Sequence, residues 1–172
     1  MNDNSIKVST RLGSMLLDHV IMTCIILVFF APAFIFDLFS NNASPLKLYS
    51  FNSFSTYVAI LGFSLYFCKD IFNGQSVAKR ILKLQIVKYS TGEVASPIQC
   101  VVRDIFCILW PIEVIITLNN PNRRLGDRIA GTKVVIFDPS IPKTNTILNL
   151  QLVLSFALSY TVSLLLFLFF NN

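Results

Sequence analysis

The chain has 172 residues, 54% of them hydrophobic and only 13% charged, with a mean hydropathy of +0.66. A soluble domain carries about a quarter charged residues, so this composition excludes one and leaves room for a single membrane domain over 1–172 without a separate catalytic domain. The net charge of +5 sits beside apolar runs, which points to the anionic inner face of a membrane and not to nucleic acid.

The first apolar run covers residues 12–36 and is long enough to span, against the ~20 residues needed at ~1.5 Å each. Lys7 and Arg11 precede it and Ala31-Pro32-Ala33 resembles a cleavage site, but Asp18 and His19 interrupt the junction expected of a signal peptide. The second run covers 54–72. The loop between them carries Lys47 as its only cation, whereas Lys69, Lys79, Arg80, Lys83 and Lys88 follow the second run. The positive-inside rule then places the N-terminus and the 70–97 segment in the cytoplasm.

The third run, 98–118, contains Arg103, Asp104, Pro111 and Glu113. Both its flanks are basic, so one full span between them violates the positive-inside rule. A proline inside a helix removes a backbone hydrogen bond and kinks or breaks it. A helix–break–helix that dips in and returns is therefore expected, with an ordinary span and a basic outer loop as the alternative. On either side lie two strand-like stretches, 82–87 and 132–137, each too marginal alone and expected to pair as a small cytoplasmic hairpin-like unit. The last run, 147–170, carries no charge over LVLSFALSYTVSLLLFLFF; its small residues Ser155, Ala157, Ser159, Thr161 and Ser163 recur near every second position and so mark no single helix face. The fold class expected is an all-α membrane protein of three transmembrane helices plus a re-entrant or additional-span segment, with one small pair of strands.

The ionisable residues inside these runs are the candidates for function. A charge at the bilayer centre costs at least ~2.5–3.5 kcal/mol, so Asp18, Arg103 and Asp104 need partners or a wet cavity. Arg103 is the strong base of the other charged run and the expected partner of Asp18. Arg11 lies two turns from Asp18 on the same face, near the interface, where it can also snorkel. The four cysteines form no C-x-x-C pair and read as packed apolar residues, and the single histidine makes no metal set. Gly74, Ser76, Lys79 and Arg80 lack phosphate-loop spacing and fit an interfacial turn on lipid phosphates better. Arg123 and Arg124 stand four and three residues before Asp127, so one carboxylate could clasp two guanidinium groups.

TRLGSMLLDHVI, NGQSVAKRILKLQIV with TGE, VVRD, and RRLGDRIAGTKVV occur in this order. The pattern from Arg11 to Val135 resembles the RDD family of small bacterial membrane proteins, most specifically in the last motif. The resemblance implies roles for Arg11, Asp18, Gly74, Ser76, Lys79, Arg103, Arg124, Asp127, Gly131 and Thr132, and a multi-pass location in the bacterial inner membrane. Ala78 stands where the family usually has a glycine before its lysine. Some members have been proposed as cation/proton antiporters. Two functions follow: transport of cations or protons through Asp18, Arg103, Arg11 and Asp104, or a membrane scaffold whose buried charges are structural. No catalytic constellation, metal set or cofactor motif is visible, so the chain is not expected to be an enzyme. Expected partners are the bilayer, anionic headgroups at its cytoplasmic face, and a homo-oligomer or membrane partner.

Overall fold

The computed structural model describes residues 6–40, 54–141 and 148–171. Three long elements carry the apolar sequence: α1 (Val8–Ser40), α2 (Phe54–Phe67) and α7 (Leu148–Asn171). Between α2 and α7 lie α3 (Val77–Ile81), β1 (Leu84–Lys88), α4 (Pro97–Ile105), α5 (Trp110–Asn119), α6 (Leu125–Ile129) and β2 (Thr132–Ile136). The loop 41–53, used for the charge asymmetry above, is outside the described residues.

Two helices, over Val8–Phe36 and Leu150–Phe169, are long and apolar enough to cross a membrane. The expected third span is shorter than 54–72: α2 ends at Phe67 and has 14 residues, about 21 Å at ~1.5 Å per residue. It stops there because Lys69 and Asp70 turn inward to ion pairs and the chain runs through turns to Gly74. Helix α2 packs on both α1 and α7.

Burial is inverted relative to a soluble protein. Among the described residues, the buried set holds more polar and charged residues than apolar ones, while Leu16, Val28, Phe29, Val153, Leu165 and Phe169 lie exposed along α1 and α7. Apolar surface of this extent suits lipid, and buried polar groups there must find one another. Two serines of α7, Ser159 and Ser163, do so. Ser155, Ser159 and Ser163 are buried at helical spacing, while Ala157 and Thr161 face outward. The small residues as a set mark no single face, as expected, but the serine subset does, repeating every four residues within the period-two pattern. Ser159 Oγ donates to the Ser64 carbonyl at 2.6 Å, and Ser64 Oγ lies 3.4 Å from Ser163 Oγ.

The 98–118 run is broken. Helix α4 is opened by a capping box of Ser96 and Gln99 with Pro97 in its first turn. A 3-10 turn over Phe106–Leu109 follows, and α5 then starts with Pro111 in its own first turn, where a missing N–H costs nothing. The strands β1 and β2 pair antiparallel with Ile86 opposite Val134. Ala95 N–H donates to the Ile86 carbonyl at 3.1 Å, and Val134 N–H donates to the Asn122 carbonyl at 3.0 Å. The two ends of the broken segment are therefore fastened to one cross-strand pair. The break expected between two helices is present, and its flanks lie close together at the sheet.

Beneath the sheet, Leu84, Ile86, Ala95, Cys100 and Val134 form a small apolar core. Gly74 sits against it at φ +63°, accepting from the Ile86 N–H at 2.9 Å; a side chain there would meet the Ile86 carbonyl oxygen. That is the local need behind the glycine of the NGQS segment.

Candidate functional site

The sheet-side end of the bundle is held by a buried network of ten charged side chains. Its cations are Arg11, Lys69, Lys79, Arg103 and Arg124; its anions are Asp18, Asp70, Asp104, Glu113 and Asp127. Five against five leaves it formally neutral, which removes the Born cost that a buried net charge would carry.

The network starts on α1. Asp18 accepts from Lys79 Nζ at 2.6 Å, and Lys79 Nζ also lies 2.9 Å from Asp70 Oδ1. Ser76 caps α3 by accepting from Lys79 N–H, and its hydroxyl lies 3.2 Å from Nζ, so one serine starts the helix and aims the ammonium. Asp70 passes the chain of pairs to Arg103 at 3.3 Å, and Arg103 Nε reaches Asp127 Oδ1 at 2.9 Å. Asp127 Oδ2 receives Arg11 at 3.2 Å and the Arg124 backbone N–H at 3.2 Å, while Thr132 Oγ1 donates to Oδ1 at 3.0 Å. Arg124 then pairs with Asp104 at 2.8 Å and Glu113 at 2.8 Å, and Lys69 closes on Asp104 at 3.0 Å.

Asp127 is the hub. Burial pushes its carboxyl up, but Arg103, Arg11 and Arg124 outweigh that and hold it at about 2. Glu113 Oε1 accepts from the Gly126 N–H at 2.8 Å, and a Cβ on Gly126 would collide with the Arg103 carbonyl oxygen. The glycine of the R-L-G-D string therefore lets α6 touch both arms of the broken segment. Gly131 follows α6 at φ +66° and turns the chain so that its carbonyl accepts from Tyr89 N–H at 2.9 Å.

Three expected relationships change. Asp18 is buried, but its partner is Lys79; Arg103 is held by Asp70 and Asp127, which lie nearer its guanidinium. Arg11 does not snorkel outward, since it is 1% exposed and paired with Asp127. Arg123 takes no part in clasping Asp127; its guanidinium stacks 3.9 Å over the Tyr89 ring. Arg103 and Arg11 supply the other guanidinium groups on Asp127, at 2.9 and 3.2 Å. Sequence reasoning missed Asp70, Glu113 and Lys69 as members. Their only signal was charge at the edge of or inside an apolar run. At Ala78, fully buried in α3, no positive φ calls for the family's usual glycine.

His19 stands apart from the network. Its Nδ1 lies 3.3 Å from the Tyr66 hydroxyl, and the rings meet edge to face at 6.2 Å.

The chain belongs to the RDD family, whose model matches residues 7–172. No curated protein and no solved structure matches it.

Proposed function

We propose that this RDD family protein is a multi-pass protein of the bacterial inner membrane that exchanges a monovalent cation for a proton. The observation that carries the reading is the Lys79 ammonium held between two carboxylates, Asp18 at 2.6 Å and Asp70 at 2.9 Å. A cation entering between Asp18 and Asp70 can take the place of that ammonium. If Lys79 then gives up one proton, the charge of the network is unchanged, so a one-for-one exchange avoids placing net charge in the bilayer. Arg103, Arg11 and Asp104 hold the pair in place through Asp70, Asp127 and Arg124.

The rest of the reading follows from surface chemistry. Val77 and Ile81 are exposed beside exposed Arg80 and Lys83, a mixture suited to acyl chains and anionic headgroups at the cytoplasmic face. So few membrane elements enclose no path by themselves, which favours a homo-oligomer. We read the chain as non-enzymatic.

Purified protein in liposomes with an internal pH dye tests this. Imposed sodium or potassium gradients should drive proton movement, and Asp18→Asn or Lys79→Ala should abolish it while the protein stays folded and inserted. Absence of flux from the wild-type protein would overturn the reading. The second reading, a membrane scaffold, is favoured by the complete pairing of the ten charges; it predicts no flux and a loss of folded protein in the same variants.

A further inference from the structure

Two spaces meet at Tyr66. The larger is an open groove of about 560 Å³, nearly all apolar, walled by α1, α2, α7 and the 3-10 turn. His19 is exposed on it, with Nδ1 3.3 Å from the Tyr66 hydroxyl and the two rings edge to face. The smaller space, about 10 Å³, has room for about one water. Tyr66 and Cys107 line this space too, and Asp18 and Lys79, the pair of the proposed exchange, line it with Arg11 and Arg124. Arg11 Nε and Arg124 Nε are buried and find no hydrogen-bond acceptor among the described residues. Buried donors of this kind are ordinarily met by an ordered water.

We infer that one water in the small space joins the Asp18–Lys79 pair to Tyr66, and that Tyr66 and His19 relay the exchanged proton between that pair and the groove. The inference rests on the proposed exchange and adds the route its proton takes. Three features choose this route. A water adds no charge to the neutral network, whereas an ion in the same space would. Of the two residues that line both spaces, Tyr66 has a hydroxyl that accepts one proton while donating another, and it is bonded onward to an imidazole. Cys107 is turned to the Arg124 guanidinium instead, its Sγ accepting at 3.1 Å. Among the groove-lining residues, His19 is the one whose side-chain type ordinarily changes charge near neutral pH. With the ring proton on Nε2, His19 Nδ1 accepts from the Tyr66 O–H. Lys79 Nζ passes a proton to the water, the water passes one to the Tyr66 oxygen, and the Tyr66 proton passes to Nδ1. The balance is a neutral Lys79 amine, an unchanged water and tyrosine, and an imidazolium at His19. That ring gives one proton to water at its exposed edge and regains its first tautomer by exchange there. Only N–H and O–H bonds change.

The test uses full-length protein in the same liposomes and reads proton flux against the concentration of the driving sodium or potassium ion. Tyr66→Phe should lower the maximal flux at least tenfold and leave the half-saturating ion concentration within twofold. His19→Gln should do the same, whereas Phe63→Leu on the groove wall should change neither. A maximal flux kept in Tyr66→Phe overturns the relay and leaves the exchange standing. A half-saturating concentration raised at least tenfold would mean that Tyr66 acts on the ion site, which also overturns it. Absence of wild-type flux overturns the exchange and the relay together. Should Tyr66→Phe fail to fold, His19→Gln decides, since its side chain is exposed. A second readout needs no flux. His19 is the single histidine, so protein labelled with 15N-histidine gives one ring by NMR. Its neutral form should carry the proton on Nε2, with an Nδ1 shift that changes in Tyr66→Phe. A ring protonated on Nδ1 would overturn the relay.

Discussion

Lys79 Nζ lies 2.6 Å from Asp18 Oδ2, joining a five-residue helix beside the sheet to the longest helix of the molecule. Both side chains are more than nine-tenths buried. Removing one partner of such a pair leaves a buried charge and costs ~3–5 kcal/mol, whereas removing both leaves nothing to solvate. Asp18→Asn and Lys79→Met should each lower thermal stability in detergent, and the double variant should recover much of the loss. The same cycle with Asp18→Asn and Arg103→Gln should recover less, since Asp70 and Lys79 stand between them. Equal rescue in the two cycles would show that the pairing is wrong.

The path of the broken segment makes a labelling prediction. Ser90 lies between β1 and the Ala95 anchor, and Asn120 follows α5 just before the Asn122 anchor. With native cysteines replaced, Ser90→Cys and Asn120→Cys should react from the same side of the membrane, the cytoplasmic one. Labelling of Asn120→Cys by an impermeant reagent from outside, with Ser90→Cys protected, would restore the ordinary span.

The register of β1 on β2 can be read by cross-linking. Val87 faces Lys133 across the ladder, and antiparallel neighbours have Cα atoms ~4.5–5.5 Å apart, inside the ~4.4–6.8 Å range of disulfides. Cysteines at Val87 and Lys133 should cross-link on oxidation; cysteines at Val87 and Ile136 should not. The opposite result would mean the strands are slipped.

The elements that carry strong local signals were legible in the sequence. The apolar runs gave α1 and α7, the β-branched stretch at 132–137 gave β2, and the proline in 98–118 gave the break between α4 and α5. The charge network was legible only as a set of residues that needed partners. Its pairings join positions far apart in the chain, such as Arg11 with Asp127 and Asp70 with Arg103, and nothing local decides between Lys79 and Arg103 for Asp18. Lys69 and Lys79 read as ordinary inner-face cations, because the positive-inside rule counts charges without asking which are buried. The α7 serines were hidden for a different reason: two exposed small residues, Ala157 and Thr161, alternate with the buried stripe.

Two glycines separate packing from propensity. Gly126 approaches the Arg103 carbonyl oxygen and the Glu113 carboxylate so closely that a methyl group has no place, whereas an added Cβ at Gly13 meets nothing within 4 Å. Gly126→Ala should sharply reduce folded yield. Gly13→Ala should leave it unchanged or raise stability by up to ~0.5–1 kcal/mol, the usual helix preference for alanine. Comparable yields for the two variants, measured by gel filtration in detergent, would refute the close contact at α6.

The depressed carboxyl of Asp127 gives stability a definite dependence on acid. Its folded value of about 2 lies below the ~3.9 of an unfolded aspartate, so the unfolded chain takes up its proton first as pH falls. The contribution of this group is therefore fully present above about pH 4 and is lost progressively as pH falls through its folded value. For a shift of this size the loss is ~2–3 kcal/mol. Other network carboxylates titrate in acid too, so the informative quantity is the slope of unfolding free energy against pH, not a midpoint. Asp127→Asn should be less stable at neutral pH, because Arg11 and Arg103 lose a charged partner, and its slope between pH 4 and 2 should fall by up to one proton. Denaturant unfolding in detergent at closely spaced pH values measures this. An unchanged slope would mean that Asp127 titrates alike in both states and is not the hub of the network.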